Sequence, residues 1–433
     1  MKILIVNKFL HPNGGSETYV FEIGKQLIKM GHQVQYFGMD HPERVVGNAS
    51  DIYTQNMDFH TGQLQKLIYP FKIIYSFEAQ RKMMALLRSF QPDVVHLNNF
   101  NFQLTPSLFY AIKKYSRRVK RRLPIVYTAH DYQWVCPNHL MKIPSDGRVC
   151  FACKGGKFIN CTRNKCIHGS VIKSVLGTLE GYFYKWHRSY RMTDAIICPS
   201  DFMKQKLSTD RILSDKVITM HNFLPIAANY KNEINDLNEM GNTVTREVTA
   251  SNHLTFLSDA IKEKGYLLYF GRYSQEKGVG MLLETCRRLS DISFVFAGKG
   301  ELLSEVQKVK NVVDVGFRSG EELSDLIRTA KFVIFPSECY ENCPFSVMEA
   351  QMYGTPVLAS AIGGTVELIR AEETGEFFQP GNIDELTTKI LNLWDDKTKL
   401  AYYKSNCKKI SFDTLEQYCE KLFKIYESLG SIK

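Results

Sequence analysis

The sequence predicts an α/β protein of two Rossmann-like parallel-sheet domains joined by a linker, and three observations predict it. A chain of 433 residues is longer than one hydrophobic core usually organises. Short apolar runs that read as buried strands alternate with amphipathic helical patterns in both halves. Between the halves, the stretch from Pro225 to Lys264 is rich in Asn, Thr and Glu and has no sustained hydrophobic period.

The first strand is Ile3–Val6. The loop NKFLHPNGGSE follows, then a helix over Ser16–Met30 whose Val20, Ile23, Leu27 and Ile28 share one face. Strands at Gln33–Phe37, Val94–Leu97, Ile125–His130 and Ala195–Ser200 complete the first series. The second series opens at Tyr266–Arg272 and continues through SFVFAGKGE, VVDVGF, KFVIFPS and TPVLAS. The domains expected are therefore 1–222, a linker or insertion over 223–265, a second domain over 266–410 and a C-terminal helix over 411–433. A ligand cleft is expected at the C-terminal ends of the two sheets.

Bulk composition narrows the class. With 44% hydrophobic and 23% charged residues the chain reads as globular. No apolar run approaches the ~18 residues of a membrane span. Met1–Val6 enters a strand pattern at once, without the apolar core and cleavage site of a signal peptide, so a cytoplasmic protein is expected. Residues 1–200 carry 27 Lys and Arg against 12 Asp and Glu, a net +15, which leaves 28 against 33, or −5, for the remainder. A basic first half suits an anionic partner or a solvated face.

The segment PSECYENCPFSVMEAQMYGTPV carries the chemistry. A strand, KFVIFPS, runs into the loop ECYENCP, and the helix FSVMEAQMYG stops at Gly354. Glu341 thus lies on a loop at a strand's C-terminal end, and Glu349 on the helix that follows. Two carboxylates there suit vicinal hydroxyls, since each offers charged acceptors. A solvated loop residue and a satisfied helix residue would read the same way. GRYSQEKG adds Arg272 and Lys277 after the first strand of the second half, where two cations can neutralise a diphosphate. AGKGE and AIGGTVE add glycines at strand ends, and a helix starting after Gly364 would aim N–H groups at a phosphate.

Taken in order, GGSE, GRYSQEKG, VGF, EEL, PSECYENCPFSVMEAQMYGTPVLAS and GGTVEL resemble the retaining, nucleotide-sugar-dependent glycosyltransferase family 4, of GT-B fold. The resemblance covers nearly the whole chain. It implies that Glu341 holds the donor sugar's hydroxyls and Glu349 the ribose hydroxyls, while Arg272 and Lys277 clamp the diphosphate and stabilise its departing charge. Gly14 and Gly15 would bring the first domain's loop to the donor, with Ser16 as N-cap of its helix. His130, in TAHD, would reach the reacting centre from the acceptor side, and a lone strand-end histidine is equally a structural hydrogen-bonder. The C-terminal helix would cross back onto the first domain.

No Asp-x-Asp occurs in the chain, so the resemblance implies catalysis without a metal cofactor, the nucleotide sugar being a co-substrate. The function implied is transfer of a hexose, from a UDP-sugar, to a glycan or polyprenyl-diphosphate-linked glycan in cell-surface polysaccharide synthesis. Two departures stand out. Asn342-Cys343-Pro344 replaces the glycine that commonly follows the first glutamate, and TVE replaces the commoner Pro-Glu at Thr365–Glu367. A related GT-B phosphorylase or epimerase, or a non-catalytic binder of anionic surfaces, would share much of this pattern. NGGSE lacks the dinucleotide fingerprint.

Five of the eleven cysteines fall between Cys136 and Cys166. In a cytosolic chain Cys150, Cys153, Cys161 and Cys166 are a candidate structural zinc set, with Cys136 or His168 as a substitute ligand; reduced thiols or a redox role fit the same density. Around them lie KKYSRRVKRR and YFYKWHRSYR, with LIYPFKIIYSF upstream. Basic residues among aromatics suit an anionic membrane surface, which implies a peripheral position on the inner face. No nucleic-acid recognition module is present, so no nucleic-acid partner is expected.

Overall fold

The computed structural model describes residues 1–56, 73–224 and 254–430, and it divides into two compact units, Met1–Phe223 with Asp413–Lys433, and Leu224–Phe412. The first unit holds β1 (Lys2–Val6), α1 (Gly15–Lys29), β2 (Gln33–Phe37), α2 (Phe77–Phe90), β3 (Val94–Leu97), α3 (Ser107–Val119) and β4 (Ile125–Thr128). It continues with α4 (Ile159–Arg163), α5 (Val171–Trp186), β5 (Ala195–Cys198), α6 (Asp201–Leu207) and β6 (Val217–Thr219).

Its strands form one parallel sheet in the order β2-β1-β3-β4-β5-β6. Apart from Lys2 at the start of β1, strands β1 and β3 are buried throughout, as ILIV and VVHL require when helices cover both faces. The order reverses at β1 and β3, so the loops after these two strands open a crevice at the sheet's C-terminal edge.

The second unit begins with α7 (Asp259–Lys264) and β7 (Leu267–Arg272). Then come α8 (Val279–Arg288), β8 (Phe294–Lys299), α9 (Leu303–Val306), β9 (Val312–Asp314), α10 (Gly320–Thr329), β10 (Phe332–Phe335) and α11 (Phe345–Met352). The elements β11 (Val357–Ser360), β12 (Gly375–Phe378), α12 (Ile383–Trp394) and α13 (Lys397–Cys407) complete it. Its parallel sheet runs β12-β11-β10-β7-β8-β9, and the reversal lies between β7 and β10.

The chain then returns to the first unit as α14 (Leu415–Gly430), which buries Tyr418, Cys419, Leu422 and Tyr426. Each such side chain contributes about 1.5–3 kcal/mol of apolar burial. Their polar ends are satisfied: the Tyr418 and Tyr19 hydroxyls stand 2.9 Å apart and Tyr426 bonds His96 Nδ1 at 2.7 Å, while His96 Nε2 meets Thr128 at 2.8 Å. Burial lowers the His96 pKa to about 3, so the ring is neutral in this network.

Strand boundaries differ from the sequence reading where the chain leaves the sheet. β4 stops at Thr128 and β5 at Cys198, which puts His130 on a loop. β6 and β12 are additions of three and four residues, too short for a periodic signal. The stretch read as linker lies partly outside the described residues; within its described part, Leu254 and Leu257 are buried in the second unit's core. Among the described residues no helix is long and apolar enough to cross a membrane.

Candidate functional site

The reversal between β7 and β10 brings together the loops that carry Lys277 and Glu341. Lys277 Nζ stands 2.6 Å from Glu341 Oε1, and Ser337 Oγ donates to the same oxygen at 2.6 Å. Burial alone would lower the Lys277 pKa, but the Glu341 carboxylate overrides it and holds the ammonium above its ordinary value. One carboxylate oxygen is thus fully subscribed. The other, Oε2, makes no hydrogen bond to a described residue. The ammonium carries three donors, so the ion pair leaves capacity for an anion.

Three separate segments fix this loop. Gly278, at φ +72°, lies so close to Pro336 that a Cβ would stand 1.8 Å from its carbonyl oxygen. The Glu338 N–H donates to the Glu276 carbonyl at 3.0 Å. Gly363, at φ +60°, packs against Glu341 itself, where a Cβ would come within 2.3 Å of the Glu341 carbonyl oxygen. The Gly364 N–H donates to that oxygen at 2.7 Å.

This last bond corrects the expectation for Gly364. The segment is a 3-10 turn over Gly363–Glu367 that starts one residue earlier, and the Gly364 N–H braces the glutamate loop instead of pointing at a phosphate. Cys343, two residues after Glu341, turns into the core, with its Sγ 3.6 Å from Met348 Sδ.

Arg272 ends β7, exposed, and forms no ion pair with a described residue. In register beside it is Lys299 at the end of β8. Lys299 is a second cation on that edge which the motif reading passed over, although AGKGE contains it. Glu349 lies on α11, and its carboxylate has no hydrogen bond or ion pair with a described residue. Burial pushes its pKa up to about 7. No hydrogen bond or ion pair joins it to Glu341 or Lys277.

In the first unit, α1 begins at Gly15 with Gly14 as N-cap, and no side chain caps it. Ser16 is consequently not the N-cap that the sequence suggested. It sits inside the first turn, accepts from Asn99 Nδ2 at 2.8 Å and donates to Glu17. Glu17, 2% exposed, also accepts from Asn7 Nδ2 at 3.0 Å. Asn7 follows β1 and Asn99 follows β3, so the Gly14–Gly15 loop is stitched across the sheet's reversal point. Asn7, Glu17 and Asn99 carry no motif signal beyond Glu17's place in GGSE.

His130 Nε2 lies 3.0 Å from Asn98 Oδ1, and its ring stands edge-on to Tyr19 at 5.0 Å. Burial lowers its pKa to about 4, only partly opposed by Asp131. With the amide oxygen as acceptor, the neutral ring carries its proton on Nε2. Asp131 stays below the usual carboxylate range because His139, the Gln133 N–H and Lys8 outweigh the burial penalty.

Two further features lie on this unit. Cys153, Cys161 and Cys166 are buried together with Phe158, and Cys136 and Cys150 line the same small cavity. Among the described residues no three His, Cys, Asp or Glu side chains already stand in a metal-holding arrangement. On α5 an apolar stripe faces outward, with Ile172 75%, Leu179 51% and Trp186 84% exposed. Of the upstream aromatic segment, residues 67–72 lie outside the described residues.

Comparison with known proteins matches residues 13–227 to the Glycosyltransferase Family 4 model and residues 256–410 to the Glycosyl transferases group 1 model. An uncharacterized glycosyltransferase of Methanocaldococcus jannaschii is 29% identical over 162 residues, 35% of this chain and 40% of that protein. The sulfoquinovosyl transferase of Arabidopsis thaliana is 29% identical over 147 residues, 33% of this chain and 29% of that protein. The chain therefore spans less than half the length of either relative. Among solved structures, Anabaena HepE in complex with UDP and glucose aligns with a TM-score of 0.62 at 17% identity, covering 99% of this chain and 100% of that one. Sucrose-phosphate synthase from Thermosynechococcus elongatus aligns at 0.66 with 15% identity over 100% of both chains. At these identities the likeness shows the fold, which is GT-B.

Proposed function

Because the chain belongs to the family 4 type of GT-B glycosyltransferases, we propose that it transfers a hexose from a UDP-sugar, with retention of anomeric configuration, to a glycan or lipid-linked glycan acceptor in cell-surface polysaccharide synthesis. The observation that carries the donor reading is the Lys277–Glu341–Ser337 cluster at the reversal point of the second sheet. Ligands of open α/β sheets bind at that place. Glu341 Oε2 is an unengaged charged acceptor for sugar hydroxyls, and Glu349 is one for ribose hydroxyls. Lys277 and Arg272 bear the charge of the departing diphosphate, so no strong general acid is needed. His130, neutral and held by Asn98, serves the acceptor side.

UDP is supported as the nucleotide by the HepE complexes with UDP and with UDP-glucose. A lipid-linked acceptor is supported by similarity to an Escherichia coli galactosyltransferase that acts on a diphosphoundecaprenol-linked sugar. The net +15 of residues 1–200 and the exposed stripe on α5 suit an anionic lipid surface, where apolar side chains enter the headgroup region beside Lys185 and Arg188.

The test is release of free nucleoside diphosphate from a panel of nucleotide sugars, with and without lipid extract, for the wild type and Glu341→Ala. Release from a UDP-sugar that rises with extract and collapses in the variant supports the whole reading. Release from another nucleotide's sugar replaces the donor, and a product of inverted anomeric configuration by NMR replaces the mechanism. Binding to anionic vesicles that is unchanged in Ile172→Ser/Trp186→Ser removes α5 from the membrane reading.

A further inference from the structure

His130 stands on the loop just past β4, where no strand ladder orients a side chain. Its Nε2 meets Asn98 Oδ1 at 3.0 Å, and the Tyr19 ring stands edge-on to it, with centroids 5.0 Å apart and planes at 69°. A hydrogen bond at one nitrogen leaves an imidazole able to pivot about that bond, and an edge-on aromatic neighbour limits the pivot. Tyr19 lies on α1, about one turn past the Gly14–Gly15 loop, and is 1% exposed.

Tyr19 is itself placed by its hydroxyl. That oxygen stands 3.1 Å from Thr128 Oγ1 and 2.9 Å from the Tyr418 hydroxyl. Thr128 is the last residue of β4, two before His130, so the first bond ties Tyr19 to the strand that delivers the histidine. Tyr418 is on α14 and fully buried, and Phe223 packs on both tyrosine rings, 5.8 Å from Tyr19 and 5.0 Å from Tyr418.

These bonds continue through the unit. Thr128 Oγ1 meets His96 Nε2 at 2.8 Å, and His96 Nδ1 meets the Tyr426 hydroxyl at 2.7 Å. The network thus runs Tyr418–Tyr19–Thr128–His96–Tyr426, with both ends on one face of α14 and its middle on α1, β4 and β3. Phenylalanine would fill the tyrosine sites with nearly the same apolar area. What the hydroxyls add is direction, because a buried hydroxyl must keep its partners.

We propose that Tyr19 and Tyr418 are positioning residues for His130, so that the last helix of the chain helps to orient the ring on the acceptor side. The inference rests on the acceptor-side role proposed above for His130, and both tyrosines act only through that ring. Displacing a reacting group by an ångström costs up to about a hundredfold in rate, so a small tilt of Tyr19 is enough to matter.

The experiment uses the full chain and three substitutions that each remove one hydroxyl and keep the ring: Tyr19→Phe, Tyr418→Phe and, as control, Tyr426→Phe. Tyr426 sits on the same helix but reaches Tyr19 only through His96 and Thr128. With 15N in the histidine rings, the His130 signals are identified by their loss in His130→Gln. Tyr19→Phe and Tyr418→Phe should each shift those signals. Each should also lower kcat for release of nucleoside diphosphate in the presence of lipid extract about fivefold or more, with Kd for UDP within about twofold of wild type. Tyr426→Phe should lower thermal stability and leave both the His130 signals and kcat unchanged. If one variant fails to fold, the other suffices.

His130 signals that stay in place in Tyr19→Phe and Tyr418→Phe would overturn the proposal, and that reading needs no turnover. Equal losses of kcat in all three variants would overturn it too, since the hydroxyls would then serve stability alone. Full turnover with extract in His130→Gln would overturn the acceptor-side role and the proposal with it. A dead His130→Gln beside normal turnover in Tyr19→Phe and Tyr418→Phe would overturn the proposal and leave that role standing.

Discussion

Replacing Glu349 with Gln should make the protein more stable and a poorer transferase at the same pH. Burial lifts this carboxyl from its ordinary 4.5 to about 7, and no described side chain bonds it. Between those values the folded protein holds a proton that the unfolded chain has released. Stability from this group is therefore full below the unfolded pKa and is lost as pH rises through about 7. A gap of about 2.5 on the pH scale is worth about 3 kcal/mol when desolvation is complete. The residue keeps part of its surface in water, which cuts the figure to about 1.5 kcal/mol. Glutamine keeps the shape without the charge. Urea denaturation should find Glu349→Gln about 1.5 kcal/mol more stable than wild type at pH 8, with the two converging near pH 5. If the ionised carboxylate grips the ribose, wild-type affinity for UDP should rise roughly tenfold between pH 6 and 8, and the variant's should stay flat. Equal stability at pH 8 would refute the burial argument. Greater stability with an unchanged UDP titration would refute the ligand role and leave Glu349 a buried acid of the helix.

Ser337→Ala removes one of the two 2.6 Å contacts to Glu341 Oε1. A bond to a charged group is worth about 1.5 kcal/mol net, so kcat/KM for the donor should fall roughly tenfold in steady-state kinetics. Gly363→Ala forces a Cβ to 2.3 Å from the Glu341 carbonyl at φ +60°, whereas Gly381→Ala, at φ +79°, meets nothing within 4 Å. Both should lower thermal stability by about 1 kcal/mol or more from backbone strain, but only Gly363→Ala should cut donor turnover as well. His96 has its folded pKa lowered to about 3, so its stability contribution is present above the unfolded value near 6.5 and is lost as pH falls. Denaturation at pH 5 should therefore show about 2 kcal/mol less stability from this group than at pH 7.5. Tyr426→Phe, which strips its 2.7 Å partner, should cost about 1–2 kcal/mol at pH 7.5.

Much of the architecture was legible because it rests on local patterns. Gln33–Phe37 and Val94–Leu97 occupy the predicted residues, and the second, VVHL, is the buried, largely apolar run that a strand covered on both faces must be. Arg272, Lys277, Glu341 and Glu349 were legible as charged groups at strand ends and helix starts, which a sequence displays directly. What escaped was whatever depends on a neighbour distant in the chain. Lys299 is an ordinary lysine until the register sets it beside Arg272. Asn7 and Asn99 are ordinary asparagines until β1 and β3 adjoin. That Cys136 lines the same cavity as Cys150, Cys153, Cys161 and Cys166 likewise depends on the folding of the whole connection.

The same reasoning explains why the Gly-Gly pair was read as a phosphate cradle. In sequence, two glycines after a strand signal only that the backbone can come close to something. In the fold that something is the backbone of Glu341, 22 residues upstream of Gly363, and the Gly364 N–H is spent on its carbonyl. On the proposed reading, in which this carboxylate holds a sugar, it must be placed to within a few tenths of an ångström on a loop with no regular structure. Here the Lys277 ammonium and the Ser337 hydroxyl fix its side chain, and two glycines and a backbone hydrogen bond fix its main chain. Precision at Glu341 is thus a property of three segments together. Substitutions at Gly278 or Gly363, which carry no chemistry, should therefore impair turnover by the same route as a change at Ser337.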